Sequence, residues 1–408
     1  MVEHTPDDIA NAVLRHYGSL NFRPPPEQFT ILASFVLADA TGTLKVISLG
    51  TGSKCLPAIR LQPGGDALHD SHAEVIARRG AVRWLLEEVR RANTNDNGSP
   101  WFQQAEAGRL RVAGGIRVYF YVSTVPCGDA STRYLATSQD PDMAALKDSS
   151  AGALPPVNGA ARGRDNYSLY GVLRTKPGRA DSPPTLCMSC SDKIASWNVL
   201  GIQGALASRF LEPVYIDGVV IGEVDATGQG FVRRDCERAL WQRLTALDSK
   251  SLPNAFGLHR PMISFTSVPF IHSRLVMGTS SSSNDSLCWI ADSQKPHEVV
   301  INGLRRGVPP KHRTNPKFRP VLSKIAIFNL YLSILDEHAV ALQAGCCESG
   351  IPFYREAKLS IRDYQDAKET LRGPGGPFVG WVRSGAHWDY FDSNGVLSSS
   401  SDVGAKCQ

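Results

Sequence analysis

The chain has 408 residues, 42% of them hydrophobic and 20% charged, with a formal net charge of +5. This is an ordinary globular composition, with enough chain for one large domain or two smaller ones. It excludes collagen-like and low-complexity classes, and no run approaches the ~18 apolar residues that a membrane span needs.

The N-terminal "MVEHTPDDIANAVLRHYG" lacks the basic n-region and apolar h-region of a signal peptide. Its periodicity predicts a helix over 5–17, with Ile9, Val13 and Leu14 on one side. Nine scattered cysteines, an odd number, point to a reducing compartment, cytosol or nucleus. "FTILASFVLADATGTLKVISLG" (29–50) predicts two strands around an Asp-Ala-Thr-Gly turn. A long helix follows from about 71 to 91, with Ser71 as its N-cap. On that helix Arg78 falls in the apolar stripe of Val75, Ala81, Leu85 and Val89.

Next comes "GIRVYFYVSTVPCGDA" (115–130), a β-branched and aromatic run that stops at Pro126. Beyond a loose insert at 148–165, a helix is predicted over 190–208 and a buried strand, or strand pair, over 213–224. Further helices are predicted at 233–247, 320–337 and 353–371. Residues 278–286 and 392–408 read as low-complexity loop and tail. Strands alternating with helices predict an α/β layer fold. No linker separates independent cores, so a single domain over 1–390 is expected, with a flexible tail over 391–408. Between Val299 and Leu335 stand seven Lys or Arg and no Asp or Glu. Such a stretch can follow a phosphate backbone, or it can be a solvated loop.

Three short motifs carry chemistry: "HAE" (72–74), "PCG" (126–128) and "SCSDK" (189–193). Zinc takes imidazole nitrogen and thiolate sulfur in a tetrahedron, and a catalytic site leaves one position for water. His72, Cys127 and Cys190 would supply three ligands. Glu74 would be a carboxylate off the metal, placed to take a proton from water and pass it on. Zinc-dependent nucleobase deaminases combine H-x-E with P-C-x-x-C. Here 127–130 reads Cys-Gly-Asp-Ala, so the second thiolate must come from elsewhere, and Cys187 and Cys190 are both candidates. The competing reading is that these are buried structural cysteines. Asp129 is read as a loop-fixing group rather than a catalyst.

Together "DSHAEVIARR", "VSTVPCGDAS", "RTKPGR" (174–179) and "MSCSDKIASWNVLGIQGALAS" resemble the adenosine-deaminase domain shared by RNA-editing enzymes and tRNA adenosine deaminases. The resemblance runs from about residue 10 to about 385. It is closer to the eukaryotic type that converts the adenosine just 3′ of the anticodon in alanine tRNA to inosine. It implies a cytidine-deaminase-like three-layer α/β/α core with a mixed central sheet and added C-terminal helices. It also implies zinc on His72, Cys127 and Cys190, which favours Cys190 over Cys187, with Glu74 as proton shuttle.

The same resemblance implies an enclosed inositol hexakisphosphate. The matching positions are Arg78, Arg79, Lys193, Trp197, Lys324, Tyr354, Lys358, Gln365, Lys368 and Trp381. A buried arginine needs an anion; for Arg78 the alternative is a protein carboxylate, with Glu88 as the candidate. Ser53 and Lys54 match a loop beside the substrate strand, and a solvated turn is the plain alternative for Lys54. Editors of duplex RNA insert a loop residue into the helix. The corresponding "RTKPGRADSPPTLCMSC" is short and has no glutamate, and no duplex-RNA-binding module precedes the match. Both points favour tRNA over duplex RNA. A tRNA enzyme is therefore expected, and a monomer, since nothing in the sequence demands a dimer. The alternatives are an editor of duplex or structured mRNA and a silent RNA-binding relative.

Overall fold

The structure is a computed structural model that describes residues 3–94, 98–136, 159–163, 169–177, 182–313, 315–341 and 353–397. The strands that position the site are β1 (Leu32–Ala38), β2 (Leu44–Thr51), β3 (Ser53–Cys55), β4 (Asp70–His72), β5 (Arg117–Val122), β6 (Gly218–Ile221), β7 (Met262–Phe265), β8 (Asp285–Ile290), β9 (His297–Ile301) and β10 (Leu304–Arg305). Eight of them form one sheet in the order β7-β6-β5-β1-β2-β8-β9-β10. The β5-β6-β7 third is parallel and the rest antiparallel, so the sheet is mixed.

The longer helices are α1 (Pro6–Ser19), α2 (Ala73–Thr94), α3 (Cys190–Leu200), α4 (Gln229–Leu240), α5 (Lys324–Ala341), α6 (Tyr354–Leu359) and α7 (Arg362–Arg372). Side chains alternate across a strand, and this sorts the core into two layers. On β1, Ala33, Phe35 and Leu37 join Phe120 of β5, Ile76 and Leu85 of α2 and Ile194 of α3. Leu32 and Val36 face the other way, with Tyr119 and Tyr121, and meet Ile9, Val13 and Tyr17 of α1. The result is the expected α/β/α arrangement. Among the described residues, no helix is long and apolar enough to cross a membrane.

Three local readings change and one open alternative is resolved. Ser71 is not an N-cap: it lies in β4, paired with Lys54 of β3. The helix over 190–208 breaks at Gly201 and resumes for one turn at Gly204–Ala207. The segment 213–224 contributes one strand, β6. The helix over 353–371 is two helices, parted at Ser360 and Ile361. Most of the 148–165 insert lies outside the described residues, as do residues 398–408 of the tail, while Phe391 is fully buried.

Candidate metal centre and catalytic cleft

His72 ends β4 and Glu74 stands in the first turn of α2. Two residues on one helix would diverge by about 200°; the change from strand to helix lets both face one cleft. The β3–β4 pairing sets Ser53 opposite His72 and Lys54 opposite Ser71. Cys127 lies on the loop after β5, and Cys190 opens α3 behind an N-cap from Ser189, whose hydroxyl accepts from Asp192 N. The two cysteine loops interlock: Ser191 N donates to Cys127 O at 2.9 Å, and Cys190 N to Cys127 Sγ at 3.4 Å. Gly128 permits this. Its φ is +107°, and a Cβ there would stand 2.1 Å from Ser189 Oγ.

The three candidate ligands converge on Cys127, whose sulfur is in side-chain hydrogen-bond contact with both His72 and Cys190. Among the described residues, no three His, Cys, Asp or Glu side chains stand in a geometry that would hold a metal ion as they are. Cys127 and His72 are nevertheless disposed as donors. The hydrogen bond from Cys190 and the nearby Lys176 ammonium hold Cys127 well below the ordinary thiol range, while burial pushes Cys190 up. His72 Nδ1 is bonded to Asp70 Oδ1 at 2.9 Å, which leaves the other ring nitrogen for a metal, an arrangement common to histidine ligands. Burial, reinforced by the charge at Cys127, raises the Glu74 carboxyl. Its Oε2 is buried and has no protein partner, an orphaned acceptor of the kind a water or substrate proton would satisfy.

Two residues that the sequence reading passed over complete the centre. Lys176, 2% exposed, places Nζ 2.7 Å from Asp70 Oδ2 and 3.1 Å from Cys190 Sγ. Asp70 also receives Lys193 on the same oxygen. These cations outweigh the cost of burial and keep Asp70 ionised, well below the usual carboxylate range. Asp129 does not reach the cleft centre. Its Oδ1 accepts from Gly171 N at 2.8 Å and its Oδ2 from Arg238 at 3.1 Å, so it fixes the loop. Cys187 lies apart from the trio, against Cys55 and the carbonyl of His69.

The cleft has a volume of about 1030 Å³ and is lined by Ser53, Lys54, His72, Glu74, Cys127 and Lys176, with Ile31, Val125, Tyr134 and Leu135 as apolar walls. Ser53 Oγ is buried without a hydrogen-bond partner.

Behind it lies a second cavity, of about 620 Å³, lined by Arg78, Arg79, Lys193, Trp197, Lys324, Lys358, Gln365, Lys368 and Trp381. Tyr354 sits beneath, its ring 4.8 Å from the Lys358 ammonium. Arg78 does not pair with Glu88, which binds Arg91 and Ser99 instead. Arg78 Nε donates to Ile202 O at 2.8 Å, and its guanidinium lies 5.6 Å from the Trp197 ring. Arg79 Nε donates to Leu322 O at 2.7 Å. Arg372, also passed over, enters the cavity from α7 with its guanidinium 3.6 Å from the Trp381 ring. Nine Lys or Arg line this space against four Asp or Glu. Burial, followed by the repulsion of Lys358 and Arg372, drives Lys368 down to about 7. Burial drives Arg372 down to about 10.

A mixed sheet with His-x-Glu at a strand–helix junction and two cysteine loops facing it defines a deaminase-type enzyme. Residues 48–384 match the adenosine-deaminase (editase) domain family, and the chain belongs to it. It is 31% identical to the tRNA-specific adenosine deaminase 1 of Drosophila melanogaster, over 90% of this chain and 92% of that protein. It is 27% identical to the Mus musculus protein of the same name, over 95% and 99%. The double-stranded RNA-specific adenosine deaminase of Rattus norvegicus is 28% identical over 90% of this chain, but over only 31% of its own length.

Proposed function

We propose that this protein is a zinc-dependent tRNA adenosine deaminase that converts the adenosine 3′ of the anticodon in alanine tRNA to inosine. The observation that carries the reading is that His72, Cys127, Cys190 and Glu74, whose buried Oε2 has no hydrogen-bond partner, meet at the head of one cleft. His72, Cys127 and Cys190 would hold the zinc. When bound, it supplies a Lewis acid that makes water a nucleophile at neutral pH. Glu74, raised by burial, takes the proton of the attacking water and returns it to the amino nitrogen leaving C6. Ile31, Val125 and Leu135 exclude bulk water around the base, and the Ser53 hydroxyl is available to a ribose or base acceptor. An anticodon-loop nucleotide is already largely unstacked, which lowers the cost of entering the cleft.

The second cavity takes inositol hexakisphosphate in this proposal. The excess of cations and the depressed lysine and arginine support a polyanion there. Lys193 would tie it to the catalytic centre through Asp70. A monomer acting in the cytosol or nucleus completes the reading.

The test is to sequence folded alanine-tRNA transcript and a perfect RNA duplex after incubation with the purified protein. Inosine at the anticodon-adjacent position of the tRNA alone supports the assignment. Inosine on the duplex at equal rate moves the protein to the duplex-editing reading, and none on either moves it to a silent RNA-binding relative.

A further inference from the structure

We infer that the exposed side chains of Arg305, Lys311, Arg313 and Lys317 form the surface that grips the RNA backbone outside the cleft. The inference rests on the proposed RNA substrate and adds to it where the strand runs. The segment leaves the sheet through a tight turn, in which Asn302 and Gly303 have φ of +50° and +76°. Such a pair makes the two-residue hairpin turn that joins β9 to β10. Gly303 O accepts from Leu68 N at 2.8 Å, and a Cβ on Gly303 would stand 2.4 Å from Leu68 O. Leu304 then packs on the small core of Leu56 and Leu61. Leu56 is two residues from Lys54, so the segment begins beside the cleft wall.

A second anchor is made on β8. Arg306 donates to Asp285 at 2.8 Å, and Asp285 closely follows Ser280–Ser282, which line the cleft. Two proline-led turns, Pro310–His312 and Pro316–Phe318, stiffen the chain. The His312 and Phe318 rings meet at 5.8 Å. Arg319 closes the segment with a 2.5 Å ion pair to Asp66. The basic run is therefore divided by function. Arg306 and Arg319 are structural pins, and Lys324 turns inward to Asp389. Arg305, Lys311, Arg313 and Lys317 are all exposed to solvent.

Ordinary protein surfaces intersperse both signs of charge. Here four outward cations stand on a stiffened frame pinned beside the cleft, in a stretch that holds no carboxylate from 299 to 335. A polyanionic strand whose one nucleotide enters the cleft has its neighbouring phosphates at this rim. Such contacts release counterions and set affinity rather than chemistry.

The experiment is a quadruple variant, Arg305→Gln, Lys311→Gln, Arg313→Gln and Lys317→Gln, in the full chain. Binding of folded alanine-tRNA transcript is measured across a potassium chloride series, with deamination at saturating tRNA alongside. The inference predicts a log–log salt slope shallower by about three and affinity at least ~10-fold weaker at near-physiological salt, with kcat unchanged. If the quadruple variant does not fold, Arg313→Gln with Lys317→Gln is predicted to shift the slope by about half as much. An active variant with wild-type slope and affinity overturns the inference and leaves the deaminase reading intact. A wild-type protein that neither binds nor deaminates tRNA overturns both.

Discussion

Lys176 reaches Asp70 Oδ2 at 2.7 Å across 106 residues of sequence, and the same ammonium lies 3.1 Å from Cys190 Sγ. One buried cation thus touches both a candidate metal ligand and the carboxylate that orients another, since Asp70 also holds His72 Nδ1. Lys193 approaches Asp70 from the second cavity, so the catalytic centre and the basic cavity share one carboxylate.

Lys176→Met removes one member of a buried ionic cluster. Breaking such a pair typically costs ~3–5 kcal/mol, and loss of outer support weakens metal sites by ~10–100-fold. The variant is expected to lose zinc to a chelator at concentrations that leave the wild type loaded. Equal resistance in a chelator titration followed by metal analysis would remove Lys176 from the centre.

Arg78→Met takes a cation from the basic cavity. The expected product is insoluble protein, or soluble protein that releases no phosphate-rich compound on denaturation, whereas the wild type releases one equivalent. Mass spectrometry of the acid extract decides. A wild type that folds normally and yields no polyphosphate would sink the cavity assignment.

The charge state of Lys368 gives a pH signature. Its folded value is about 7, below the ~10.4 of an unfolded lysine. Between those two values the unfolded chain holds more protons, so the anion-free protein gains stability as pH rises through that window. A bound polyanion raises Lys368 again, so binding takes up a proton and affinity falls as pH climbs above 7. Calorimetric titrations with inositol hexakisphosphate in buffers of different ionisation enthalpy count that proton. A proton count of zero at pH 8 would contradict the assignment.

The reacting groups were legible because their motifs are local. His72 and Glu74 are two residues apart, and Cys127 and Cys190 each sit in a short stretch of distinctive chemistry. Lys176 was not legible: a lysine before a proline reads as a turn, and only the fold brings it to Asp70. Ser71 looked like an N-cap because serine before an amphipathic run usually is one, but pairing with β3 claimed its backbone. The single helix predicted over 353–371 turns out to be jointed. The helix breaks, and Gln365 reaches back to donate to Lys358 O at 2.7 Å. The resemblance, not the period, pointed to Tyr354, Lys358, Gln365 and Lys368, and neither revealed the joint between the two helices. Arg372 escaped for a related reason, since its role depends on Trp381 from the following loop.

The measurement that bears most directly on the proposed mechanism is inosine formation from alanine-tRNA transcript with zinc counted per chain. It would be made on wild-type protein before chelation, after chelation and after zinc is restored, and on Glu74→Gln. The account predicts activity that is lost with the metal and regained with it. It also predicts a Glu74→Gln protein that carries zinc and binds tRNA but is slower by at least ~100-fold, the usual scale of general acid–base catalysis. Full activity in metal-free protein, or inosine made by Glu74→Gln at the wild-type rate, would contradict it.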